Sequence, residues 1–120
     1  MNERITPSNI TELKENEIFV FGSNSNGVHN GNAAATAMKF GAIMGQAAGI
    51  QGQTYAMPSK HIENLKKYID DFLLYAEQHS EYTFLVTEIG CGTSKHSPFE
   101  IAPLFKEAVH IKNINLPLSF

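Results

Sequence analysis

Between Ile18 and Ser59 the chain carries one formally charged residue, Lys39, and seven of its nine glycines. At the head of this stretch an apolar run, Ile18-Phe19-Val20-Phe21, empties into Gly22-Ser23-Asn24-Ser25-Asn26-Gly27-Val28-His29-Asn30-Gly31-Asn32. An alanine-rich segment, Ala33-Ala34-Ala35-Thr36-Ala37-Met38, follows at once. A buried strand, a loop of small residues and a helix start can surround a phosphate with backbone N–H groups.

A chain of 120 residues is the size of one domain and long enough for one sizeable core. An apolar fraction of 42% and a charged fraction of 18% describe a folded globular protein. The net charge of −3 supplies no attraction to nucleic acid or to an anionic membrane, so neither is expected as a partner. One cysteine makes no internal disulfide and excludes a multi-cysteine zinc site, which points to a reducing compartment. With no signal-peptide core and no long apolar run, a cytoplasmic location is expected. No metal or cofactor is expected, and the oligomeric state is open.

Glu17 to Phe21 reads as a buried strand ending at glycine. Asn30 or Asn32 is a candidate N-cap for a helix over Ala33 to Phe40. Gly41 to Gln53 is ambiguous, because four glycines weaken any long helix there. Thr54 to Met57 is a second strand. His61 to Gln78 is the clearest helix, with apolar residues at Ile62, Leu65, Ile69, Phe72, Leu73 and Ala76 in helical spacing. Lys66, Lys67, Asp70, Asp71 and Glu77 then form a solvated face. Tyr82 to Ile89 is a third strand. Ser97, Pro98 and Glu100 make a capping box. Pro103 ends that first turn, and Leu104, Phe105, Ala108 and Val109 form the buried face of the helix beyond. Ile10 and Leu13 suggest one helical turn near the start, and Ile114 and Leu116 a last edge strand. Alternating strands and helices predict a single α/β domain, residues 1–120, with helices on both faces of the sheet. Ligands of such sheets sit beyond the carboxyl ends of the strands.

Two loops carry the chemistry. The first, 22–32, tolerates positive φ and close backbone approach, and its asparagines both donate and accept hydrogen bonds. It is neither a Walker A loop nor a dinucleotide fingerprint, and a plain surface loop with a helix cap explains its composition equally well. The second, Gly90-Cys91-Gly92-Thr93-Ser94, reads as another phosphate-facing turn. Cys91 invites a nucleophile reading with His96 or His29 as base, although a small buried thiol is the commoner state. No two of the five histidines have metal-ligand spacing. His29 and His96 lie in the loops; His61, His79 and His110 read as surface histidines.

Three groups of residues carry a resemblance. They are Val20-Phe21-Gly22-Ser23-Asn24, then Gly27, His29, Gly31, Ala33 and Ala34, then Gly49-Ile50-Gln51-Gly52-Gln53-Thr54-Tyr55-Ala56-Met57-Pro58-Ser59-Lys60. With Thr83 to Gly92 and Ile101 to Phe105, they resemble small phage and bacterial proteins related to macro domains. The resemblance covers nearly the whole chain after Glu17. It implies a three-layer α/β/α sandwich with a mixed sheet that binds ADP-ribose or a related NAD-derived nucleotide, with ADP-ribosyl hydrolase activity in some relatives.

On that resemblance, Asn24 takes the place of the asparagine near the distal ribose. Gly27, Gly31, Asn32 and Ala33 take the place of the first phosphate loop, which Gly22 and Ser23 enter. Gly90, Cys91, Gly92, Thr93 and Ser94 take the place of the loop around the diphosphate. A hydrolytic role would fall to Asn24, positioning water, and His29. Hydrolytic relatives often place an aspartate just after the first glycine loop, where this chain has Asn32, Ala33 and Ala34. Lys95 stands where a further glycine is expected. No carboxylate lies between Ile18 and Ser59, which favours binding over catalysis. Two rivals remain: an interaction module that keeps the fold without a ligand, and a thiol hydrolase using Cys91.

Overall fold

A computed structural model describes residues 5–7, 10–23, 32–89, 96–117 and 120. The chain runs β1 (Glu17–Ser23), α1 (Asn32–Lys39), β2 (Gly49–Gln51), β3 (Thr54–Pro58), α2 (Ile62–Gln78), β4 (Thr83–Val86), α3 (Pro98–Ile101), a 3-10 helix (Ala102–His110) and β5 (Ile114–Asn115). The five strands form one mixed sheet in the order β2-β3-β1-β4-β5. β1 is central and parallel to both β3 and β4; β5 is parallel to β4, and β2 is antiparallel to β3.

The apolar run of β1 is continuous because both of its faces are covered. Successive side chains of a strand point to opposite faces. Ile18 and Val20 therefore join Tyr55, Met57, Phe84 and Val86 under α2, α3 and the 3-10 helix. Phe19 and Phe21 face the other way with Ala56, under α1 and its Ala34 and Ala37. Among the described residues the result is three layers, with α1 on one face and α2, α3 and the 3-10 helix on the other. The first layer is built from alanines against two phenylalanines, which lets a short helix lie close to the sheet.

α2 buries Leu65, Ile69, Phe72, Leu73 and Ala76, and Ile62 packs partly buried at the rim of that core. The Lys66–Asp70 pair on its outer face, 3.2 Å apart, is exposed and adds little to stability. Its carboxyl end is closed by Asn113. The Asn113 Nδ2 group donates to the carbonyls of Ala76, His79 and Tyr82 at 3.0–3.1 Å, so one amide joins the end of α2 and the turn before β4 to the chain entering β5.

Several expectations are corrected. No helical turn forms at Ile10 and Leu13; both pack as irregular chain against the α1 layer. Within the ambiguous 41–53 segment, β2 pairs with β3 across Gly52 and Gln53. Gly52 has φ +58° and lies so close to Gly41 that a Cβ would stand 2.8 Å from the Gly41 Cα, which only glycine permits. The third strand is shorter than expected, because the chain leaves the sheet after Val86. The capping box at Ser97 forms, with Ser97 N–H donating to Glu100 Oε1 at 2.9 Å. Beyond Pro103 the helix continues as 3-10 rather than α. Three residues per turn then place Phe105, Ala108 and Ile111 on the core side and turn Val109 out to 58% exposure. His79 is half-buried rather than a surface residue. Its ring stacks on Tyr75 at 4.0 Å and its Nδ1–H donates to the Tyr75 carbonyl at 2.8 Å.

Candidate binding site

Three parallel strands deliver their carboxyl ends to one rim of the sheet: β3 at Pro58, β1 at Ser23 and β4 at Val86. The connections then part. The chain leaving β1 enters α1 on one face, whereas the chains leaving β3 and β4 enter α2 and α3 on the other. Adjacent parallel strands whose connections go to opposite faces leave a crevice between them at that rim.

The rim is tightly tied. Ser59 N–H donates to the Ser23 carbonyl at 3.0 Å. Thr87 donates to the Val20 carbonyl through both N–H, at 3.1 Å, and Oγ1, at 2.8 Å. These bonds hold the first residues after β3 and β4 against β1. Gly22 lies where the three strands converge. A Cβ there would stand 2.7 Å from Ser59 Oγ and 3.3 Å from Ile89 Cγ2.

α1 is aimed with its amino end at this rim. Its last turn lies at the opposite end of the sheet, where the Phe40 carbonyl accepts from Gln53 N–H at 2.9 Å and the Gln53 carbonyl accepts from Phe19 N–H at 2.8 Å. Asn32 opens the helix. The partial positive charge of a helix amino end favours an anion there.

Among the expected site residues, Gly22 and Ser23 form the end of β1, and Asn32 and Ala33 begin α1. The Ser23 hydroxyl is buried and donates to the Ala47 carbonyl, which secures the chain after α1 to the rim. Asn24, Gly27, His29 and Gly31 lie outside the described residues, as do Gly90, Cys91, Gly92, Thr93 and Ser94, and Lys95 with them. The flanks of both loops, Ser23 with Asn32 and Ile89 with His96, are described.

His96 closes the rim from the far side of the second loop. Its Nε2 lies 3.0 Å from the carbonyl oxygens of both Ser59 and Lys60. A ring nitrogen facing two acceptors carries the proton, so Nε2–H donates and Nδ1 faces elsewhere. His96, which follows the second loop in sequence, is thus bonded to the turn after β3.

Sequence reasoning does not mark that turn as part of a site. The signal for it is a strand ending at Pro58 just before a helix, which repeats the arrangement at the first loop. Pro58, Lys60, His61, Asn64 and Tyr68 line a shallow groove of about 70 Å³ beside it, far smaller than a pocket for a whole nucleotide. Among the described residues no three His, Cys, Asp or Glu side chains are grouped to hold a metal, and no helix is long and apolar enough to cross a membrane. Comparisons with family models, curated proteins and solved structures returned no match to the chain.

Proposed function

We propose that the protein is a macro domain-like binder of ADP-ribose or a related NAD-derived nucleotide. The ligand would lie in the crevice at the carboxyl end of β1, between the loops 22–33 and 90–96. The carrying observation is that β1 and β4 are parallel neighbours that send their connections to opposite faces of the sheet. The ends of β1 and β4, from which both glycine-bearing loops continue in sequence, lie at that one rim.

In this reading the phosphates are held by backbone N–H groups of Gly27, Gly31, Asn32 and Ala33 on one side and of Gly90 to Ser94 on the other. The amino end of α1 adds roughly 0.3–1 kcal/mol toward an anion. Asn24 orients the ribose, with His29 beside it. Gly22, lacking a side chain, lets Ser59 and Ile89 close against the end of β1 beneath that crevice. Without a carboxylate between Ile18 and Ser59, the first loop offers no acidic general base, so binding is the activity assigned.

Calorimetric titration with ADP-ribose, NAD, ADP and cyclic derivatives tests the reading. Saturable heat and a raised melting temperature with at least one of them are expected. Neither signal with any of the four overturns it.

A further inference from the structure

The two edge strands of the sheet, β2 and β5, are both engaged by other parts of the chain. At β2 the partner is local: Gln46 Nε2 donates to the Ile50 carbonyl at 3.1 Å. At β5 the partner comes from the other end of the sequence. Ile5 bridges Leu116 in parallel register. Thr6 N–H donates to the Leu116 carbonyl at 2.8 Å, and Thr6 Oγ1 donates to the Asn115 carbonyl at 3.0 Å. Residues 5–7 therefore stand where a sixth strand would stand. An uncovered edge is a template for pairing with another chain, so a segment that fills it does more than pack.

This segment has a narrow hold. Among the described residues before Glu17, Thr6 alone is buried, at 5% exposure, beside Ile5 at 42%. Ile10 and Leu13 are partly buried, against the cluster that holds Phe19. The next firm attachment lies beside the start of β3. There Gln53 Nε2 donates to the carbonyls of Lys14 at 2.8 Å and Glu17 at 3.1 Å, and Glu17 Oε1 accepts from Lys14 N–H at 2.9 Å. β5 has its own support. It pairs with β4, Ile114 is buried in the α2-side core, and Asn113 binds the end of α2. A stretch with one buried residue, docked on a strand that is held independently, opens at a lower free energy than the whole fold.

We propose that residues 5–7 are a detachable sixth strand, latched by Thr6, whose release bares the β5 edge while the five-stranded body stays folded. The groups bared are acceptors, the carbonyls of Asn115 and Leu116, and Pro117 directly after them has no N–H to offer. The edge therefore holds an extended segment that brings donors, which Thr6 does twice, through backbone and side chain.

Native-state hydrogen exchange on the full chain, corrected for intrinsic rates, tests this. The reference amides are Phe19, bonded to the Gln53 carbonyl, and Phe84, bonded to the Asn113 carbonyl, each at 2.8 Å. The Thr6 amide is expected to exchange at least about a hundredfold faster than either, with little dependence on added urea, as in a local opening. Thr6→Val removes only the hydroxyl bond and should speed exchange at position 6 by about threefold to tenfold, with Phe19 and Phe84 unchanged. Thr6→Ser keeps both donors and should exchange there within about twofold of the parent. A position-6 amide as slow as that of Phe84, or a Thr6→Val effect equal at all three amides, overturns the proposal.

Discussion

Gly22 and Ser59 lie so close that a methyl group on Gly22 would stand 2.7 Å from Ser59 Oγ. The two residues sit on adjacent strand ends, and the Ser59 N–H also bonds the Ser23 carbonyl. Ser59 is buried, and Ile89 Cγ2 stands at 3.3 Å on the other side, so neither neighbour moves freely. Gly22→Ala is expected to destabilise the fold by about 1–3 kcal/mol through overpacking. Ser59→Gly in the same chain relieves part of that strain. In a double-mutant cycle read from urea unfolding, the double mutant loses less than the sum of the single losses. Strict additivity would show that the two sites do not touch.

Alkaline pH bears on Tyr55. Burial pushes its phenol up from 10.0 to about 12, with smaller contributions from Asp71 and Tyr75. The ring packs against Phe72 at 5.1 Å and Tyr75 at 5.3 Å in the α2 layer. A group whose folded pKa is raised stabilises the fold below its unfolded pKa and loses that contribution as pH rises through the folded value. Stability should therefore fall between pH 10 and pH 12, by about 1–2 kcal/mol after discounting for partial solvation of the hydroxyl. Tyr55→Phe removes that step. Chemical unfolding at a series of alkaline pH values, with phenolate absorbance followed in parallel, measures both.

The 3-10 helix Ala102–His110 makes a sharp distinction between neighbours. Val109 projects into solvent while Ala108 is buried at 1% exposure. Val109→Asp should change stability by less than about 0.5 kcal/mol, as at an ordinary surface site. Ala108→Asp buries an unpaired carboxylate against α2 and should cost several times more, about 3 kcal/mol or above. Thermal melts of the two variants decide it. Equal losses would restore an α-helical register there.

That register also shows where sequence reasoning reaches and where it stops. The period of α2 and the capping box at Ser97 are local patterns, and the chain follows both. The buried run of β1 is legible because a central strand is apolar on both faces. Val109 is misplaced by a 3.6-residue period, because Pro103 and the following turns adopt a period of three. β2 escapes notice because three residues of which only Gln51 is buried carry no alternation. Ile10 and Leu13 have helical spacing, yet tertiary contact with the α1 layer decides their conformation. The bonds of Asn113 and His96 join residues 31 or more positions apart, and no local pattern encodes such a pairing. Of the candidate site, the rim at which β1 and β4 both end can be read from the alternation of strands and helices. The link from His96 to the turn after β3 cannot.

His96 supplies the last prediction. Its Nε2–H is shared between the Ser59 and Lys60 carbonyls, which ties the segment after the second loop to the turn after β3. His96→Ala removes that donor from both carbonyls, at an expected cost of about 1–2 kcal/mol. Glutamine is a near replacement, since its extended side chain carries the amide nitrogen close to the place of Nε2; His96→Gln should recover at least half of the loss. The same order is expected for nucleotide affinity under the proposed function, with His96→Ala weakest, because the far end of the second loop would no longer be fixed to the rim. Urea midpoints and ADP-ribose titrations of the parent chain and the two variants separate the effects. A glutamine variant no better than alanine in either measurement would show that the hydrogen bond is not what His96 contributes.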